Sequence, residues 1–195
     1  ALFFFFFLNI VPPRPEVYSK TKLVPFSEYL PFGVKSKFLE NKFNFHFWDK
    51  GENVLVFEDN TFSFGTPICF EDTFDYVCRK MNRLGADVFV NVINDSWGKS
   101  LVCQNQHLAM GVFRAVENKI PSVRCASTGQ TFYVSAYGKV ENLIEPFAES
   151  YGYYKVPVYE VKETTVFSVI GNFFSVLILI ICLIKYFIFS INITI

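Results

Sequence analysis

The apolar run "SFGTPIC" ends in a cysteine, Cys69, with Phe70, Glu71 and Asp72 directly behind it. A thiol becomes an acyl acceptor when one neighbour takes its proton and another steadies the oxyanion that forms on the attacked carbonyl. A sharp strand-to-helix turn would expose Cys69, and a helix N-terminus would favour its thiolate. Lys20, in the stretch "YSKTKLVPFSEYLPF", could supply a cation beside the sulfur. Each residue also has a plainer reading, since cysteine is most often an inert buried side chain and lysine a solvated one. Few other groups compete for chemistry. The two histidines, His46 and His107, are far apart, so a histidine metal centre or a Cys-His pair has little material, and His107 reads as a structural or hydrogen-bonding residue. The five cysteines, Cys69, Cys78, Cys103, Cys125 and Cys182, are odd in number and form no CxxC pair, which argues against a disulfide framework and a thiolate zinc site. No metal and no cofactor is expected.

Something must hold Cys69 in place, and the flanking pattern supplies candidates. "SFGTPIC" reads as a strand, and "FEDTFDYVCRKMNRLG" as a helix with Phe70, Phe74, Val77, Cys78 and Met81 on one stripe and Gly85 closing it. "ADVFVNVIND" is a near-continuous apolar strand ending at Asn94 and Asp95. A second helix follows in "NQHLAMGVFRAVENKI", with Leu108, Val112, Phe113 and Val116 inward and Arg114 and Glu117 as a local ion pair. "PSVRCAS" is a strand and "TFYVSAYGKVENLIE" a hairpin turning at Tyr137-Gly138. This order is α/β, and ligand chemistry in such sheets gathers at the carboxyl ends of the strands, where Cys69, Asn94 and Ser127 to Gly129 all fall. Upstream, "ALFFFFFLNIV" is too short to span a bilayer and reads as a buried strand, while residues 36–60 show no clear period before the turn signal "EDNTF".

Lysine plus arginine equal aspartate plus glutamate at 18 each, which leaves no basic surface for nucleic acid. The apolar share of 51% with 25 phenylalanines exceeds what a soluble domain of 195 residues ordinarily carries, so part of the chain is expected to meet lipid. The stretch from Val166 to Ile184 is uncharged and meets the ~20 apolar residues a bilayer-spanning helix needs, with Lys185 and Tyr186 suited to the headgroup level. A buried C-terminal core helix is the alternative. The domain plan is a catalytic unit over 1–165, a transmembrane helix over 166–188 and a tail over 189–195.

Five motifs in order, "YSKTKLVPFSEYLPF", "ICFED", "GADVFVNVINDSWG", "QHLAMGVFRAVENKIPSVRCASTG" and "YGKV", resemble the nitrilase superfamily and, within it, the apolipoprotein N-acyltransferases. The resemblance implies a nitrilase-like αββα sandwich, incomplete at its N-terminus, followed by the membrane helix. It makes Cys69 the nucleophile and Lys20 the lysine of a Glu-Lys-Cys triad, with Glu28 and Glu71 as supporting acids. Phe70 and Trp97 match positions lining an acyl pocket, and Asn94 closes the strand that carries them. Glu71 has the alternative of a helix N-terminal acid, and Trp97 that of a packing residue.

The activity implied is transfer of a fatty-acyl chain from a phospholipid donor, through a Cys69 thioester, to the N-terminal amine of a diacylglyceryl-cysteine apolipoprotein. The setting implied is the bacterial inner membrane, with the catalytic domain on the periplasmic side. A membrane-anchored amide hydrolase and a non-catalytic remnant are the rivals. The family's general-base glutamate lies well upstream of its lysine, whereas nineteen residues precede Lys20 here. The chain is therefore expected to be the C-terminal portion of a longer protein, and inactive by itself.

Overall fold

The computed structural model describes residues 17–31, 47–59, 61–95, 98 and 100–194; the stretch predicted as an N-terminal strand and Trp97 lie outside the described residues. One six-stranded sheet runs in chain order through β1 (Val56–Glu58), β2 (Ser63–Gly65), β3 (Val88–Ile93), β4 (Ser122–Ala126), β5 (Thr131–Val134) and β6 (Val140–Ile144). Helix α1 (Asp75–Arg83) crosses from β2 to β3, and α2 (Leu101–Asn118) from β3 to β4. Strands β2, β3 and β4 are parallel, and the outer pairs are antiparallel. Parallel crossovers are right-handed, so two crossovers stepping in one direction leave both helices on one face. Accordingly α1 packs on α2. The fold is mixed α/β and nitrilase-like. Among the described residues there is one sheet and one helical layer, which is half of the expected sandwich.

The core follows from strand alternation. Phe89 of β3 is buried against Val77, Cys78 and Met81 of α1, and Phe132 and Val134 of β5 against Leu108, Val112 and Ala115 of α2. Full burial of a side chain such as Val77 or Met81 contributes about 1.5–3 kcal/mol. Val90 and Val92, on the other face of β3, are only half-buried. Strand β1 lies in a segment whose sequence shows no period, and it pairs with β2 across the turn predicted at "EDNTF".

Both helices depart from their predicted outlines. The first does not begin behind Cys69: Cys69–Thr73 forms a 3₁₀ turn, Phe74 is extended (φ −101°, ψ 109°), and α1 starts only at Asp75. Phe70 and Phe74 therefore leave the helical stripe and meet edge-on, with ring centroids 5.1 Å apart. Gly85, at φ 102°, does close the helix, its N–H reaching Asn82 O at 2.9 Å. The second helix buries Gln104, Gly111, Ala115 and Asn118, while Phe113, expected inward, is 60% exposed. Gly111 on that face leaves room for a buried arginine, Arg124 of β4. Cys125 is also exposed rather than part of the core.

The segment predicted as a continuous helix from Val166 is interrupted. Helix α3 (Val166–Ile170) stops at Gly171 (φ 57°), and α4 (Phe173–Thr194) follows. Thr165 caps α3 by accepting Ser168 N at 2.9 Å, and its hydroxyl donates to Glu117 O. Arg83, at the end of α1, donates to Ser168 O at 3.2 Å and Val169 O at 2.8 Å. This short helix is thereby fastened to the domain. Along α4 the apolar side chains from Phe173 to Ile184 are exposed. Among the described residues no helix is long and apolar enough to cross a membrane.

Candidate active site

The approach to Cys69 is set by β3. The chain leaving β2 stays beside that strand as far as a parallel bridge between Ile68 and Val92, and the buried Asn91 amide donates to Pro67 O at 2.8 Å. The next residue turns sharply. Cys69 sits at φ 51°, in the left-handed region that a non-glycine residue seldom occupies. The 3₁₀ turn that follows returns its own acid to the start, because Glu71 Oε2 accepts Ile68 N at 2.9 Å. The helix-terminal reading of Glu71 thus holds for one of its two oxygens.

The other oxygen does something the sequence did not suggest. Glu71 Oε1 accepts Thr21 N and Thr21 Oγ1, each at 2.6 Å, and Lys22 N at 3.2 Å, while Tyr18 OH donates to the carboxylate at 2.9 and 3.0 Å. The side chain is fully buried. A carboxylate with its lone pairs so occupied has no face left for a substrate, and it ties the Lys20 loop to the Cys69 turn. Burial and the adjoining Glu71 charge push the Tyr18 phenol well above its ordinary range, which keeps it a donor.

Lys20 lies between these anchor points. Its Nζ donates to both carboxylate oxygens of Glu28 at 2.8 Å, and Glu28 Oε2 also accepts Val24 N at 2.8 Å. The Lys20 carbonyl accepts Gly51 N at 2.8 Å and that of Glu28 accepts Trp48 N at 3.0 Å, so both backbones are held too. Burial pushes the Cys69 thiol up; the Lys20 charge and backbone hydrogen bonding to Asn94 and Phe70 pull it down, and the Asp95 charge raises it. The expected help of an α-helix N-terminus is missing, since α1 starts well past the sulfur. Among the described residues, Lys20 is the cation whose charge favours the Cys69 thiolate.

Phe70 is half-buried beside Cys69. The Asn94 side chain accepts Ser127 Oγ at 2.8 Å, joining the end of β3 to the loop after β4. Lys20, Glu28, Glu71, Cys69, Phe70 and Asn94 thus gather at one end of the sheet.

Sequence reasoning missed a second cluster directly behind the turn. Asp72 Oδ1 lies 2.7 Å from His107 Nε2, and its other oxygen is paired with Arg124; His107 Nδ1 lies 3.3 Å from Asp95 Oδ2. Arg124 also stacks over the Phe132 ring, 4.7 Å from its centroid. Its signal in the sequence was an arginine at a strand position whose alternation with Ser122 points inward.

The carbon-nitrogen hydrolase family model matches residues 10–165. The chain is 42% identical over 180 residues to "Apolipoprotein N-acyltransferase 1" of Treponema denticola, covering 91% of this chain and 33% of that protein. It is 44% identical over 162 residues to the protein of the same name from Treponema pallidum, covering 81% and 30%. Among solved structures, a Saccharomyces cerevisiae member of branch 10 of the nitrilase superfamily aligns with 19% identity and a TM-score of 0.44, covering 52% of this chain and 40% of that one. The chain spans about a third of the length of the curated relatives it matches. On a match that runs through the sheet, both crossover helices and the Lys20 and Cys69 elements, the chain belongs to the carbon-nitrogen hydrolase family of the nitrilase superfamily, and within it resembles the apolipoprotein N-acyltransferases.

Proposed function

We infer that this chain carries the acyl-transfer site of a lipoprotein N-acylating enzyme. Cys69 is the nucleophile, and Lys20, held by Glu28, steadies the oxyanion. One observation carries the reading: a cysteine at a left-handed turn, with a carboxylate-clamped lysine acting on its sulfur, in a chain so similar to two N-acyltransferases.

The reaction has two halves. The Cys69 proton passes to a carboxylate base, which the resemblance puts upstream of Lys20, and the thiolate attacks the ester carbonyl of a phospholipid. A carbon–sulfur bond forms, the ester carbon–oxygen bond breaks, and the lysophospholipid leaves as an alcohol bearing the returned proton. The N-terminal amine of a diacylglyceryl-cysteine apolipoprotein then attacks the thioester; an amide forms, and the sulfur departs as the thiol. Phe70 and Trp97 line the acyl pocket, Asn94 fixes the strand end beside it, and Glu71 acts by positioning the Lys20 loop. Both substrates are lipids, so the site works at the surface of the bacterial inner membrane, on its periplasmic side. The exposed apolar side chains of α4 support this as the anchor, since they have lipid as their natural surrounding.

The test is Cys69→Ser in the complete gene product, assayed with phospholipid and a diacylglyceryl peptide. The reading expects hydroxylamine-sensitive acylation of the native protein at Cys69 and its loss in the variant; undiminished N-acylation by the variant would overturn it. The family match itself favours a second reading, an amide hydrolase in which water takes the place of the amine. Ammonia release from small amides, without acyl transfer from phospholipid, would select it.

A further inference from the structure

The cluster behind Cys69 has a property that its distances dictate. Ionised carboxylates only accept hydrogen bonds, and a neutral imidazole carries one N–H. Asp72 is hydrogen-bonded to one ring nitrogen of His107 at 2.7 Å and Asp95 stands 3.3 Å from the other, an arrangement that favours a proton on both nitrogens, the imidazolium. These charges sit on four separate elements: Asp72 on the 3₁₀ turn that begins at Cys69, Asp95 after β3, His107 on α2 and Arg124 on β4. Two carboxylates and two cations cancel, which is the condition under which charges persist in a protein interior. The surroundings are shaped to admit them. A Cβ at Gly111 would come within 2.6 Å of Arg124 Nη2, and one at Gly129 within 2.9 Å of Asp95 Oδ2, so only glycine leaves the room.

Resting on the reading of Cys69 as the nucleophile, we propose that His107 is a positioning residue for it. Doubly protonated between Asp72 and Asp95, it binds the nucleophile's turn to the strand end beside it and cancels the Asp95 charge that faces the sulfur. Lys20 favours the thiolate more than Asp95 disfavours it, and an imidazolium against Asp95 reduces the opposing charge further. Both aspartates hold the proton on His107 against the opposing effects of burial and Arg124, and they raise the ring to about 9. The charged groups acting on the ring are Asp72 from the turn, Asp95 from the end of β3 and, through its charge, Arg124 of β4, which donates to the His107 carbonyl at 3.3 Å. The imidazolium therefore persists at neutral pH.

The experiment reads the sulfur directly, by peptide-resolved iodoacetamide labelling of Cys69 across roughly pH 7 to 11 in the full-length protein. His107→Gln is expected to cut the thiolate fraction below the midpoint about tenfold. Combining it with Asp95→Asn is expected to restore the native profile to within about twofold, a rescue that mere damage to the fold would not give. Labelling of Cys78, fully buried in the native molecule, reports in the same samples whether the fold survives. A variant-free arm uses ¹⁵N chemical shifts of His107 in the native protein, expected to show two protonated ring nitrogens at neutral pH. An unchanged Cys69 profile in folded His107→Gln, a failed rescue, or a neutral ring at pH 7 would each overturn the proposal. No arm needs a substrate, so the outcome is independent of whether Cys69→Ser abolishes acyl transfer.

Discussion

Cys69 is held from two sides, and they are built differently. In front, the 17–30 loop has no helix or strand beyond a bridge between Pro25 and Tyr29, and one buried acid, Glu71, gathers its backbone. Behind, full charges at contact distance join the turn, β3, α2 and β4. Pro25 to Ser27 are exposed, so the front can shift and rehydrate, whereas Arg124 and Asp72 are nearly sealed from water. Rigidity is concentrated behind the sulfur and adjustability in front, the side from which a substrate would come.

The contrast is most easily broken from behind. Arg124→Met leaves the Asp72 carboxylate short of its buried partner and is expected to cost about 3–5 kcal/mol in urea unfolding, with the whole sheet affected. A loss below ~1 kcal/mol would mean the cluster tolerates a missing charge. Raising the pH attacks the same cluster without mutation. Because His107 is raised from 6.5 to about 9, its contribution is complete below pH 6.5 and disappears as pH climbs through about 9. The loss is on the order of 3 kcal/mol, read from unfolding at stepped pH, and it should be absent in His107→Gln.

From the front, Glu71→Gln replaces an acceptor of five donors with a group that brings donors of its own, at about 1–3 kcal/mol. Hydrogen exchange should quicken at residues 18–22 and leave β3 protected; equal quickening in both would erase the distinction between front and back. The smallest effect sharpens the outline of α2. Phe113→Ser, on an exposed face, should move unfolding by no more than about 0.5 kcal/mol.

How much of this the sequence disclosed depended on range. The β3 strand was legible because "VFVNVI" is a run of apolar, mostly β-branched residues, and the hairpin because Tyr137-Gly138 separates two alternating stretches. Local spacing misled where distant groups intervened. Phe70 and Phe74 obey helical periodicity, yet Phe74 is extended and meets the Phe70 ring edge-on. Phe113 was read as inward, yet it lies on an exposed face, while Gly111 on the buried face meets Arg124. Lys20 and Glu28 carry no mark of their own and were readable only through the family resemblance. The charge cluster left only separate marks, Arg124 in phase with Ser122 and His107 as a hydrogen-bonding residue: Asp72 lies 35 residues from His107 and 52 from Arg124, and no local rule connects them.

The left-handed backbone at Cys69 has an evolutionary corollary. Any side chain there costs roughly 1–2 kcal/mol that glycine would not, so stability alone disfavours cysteine at this position. A lineage relieved of the reaction would drift toward glycine or asparagine at residue 69. On the proposed role of Cys69, the identity of that single residue gauges whether a descendant has kept the reaction.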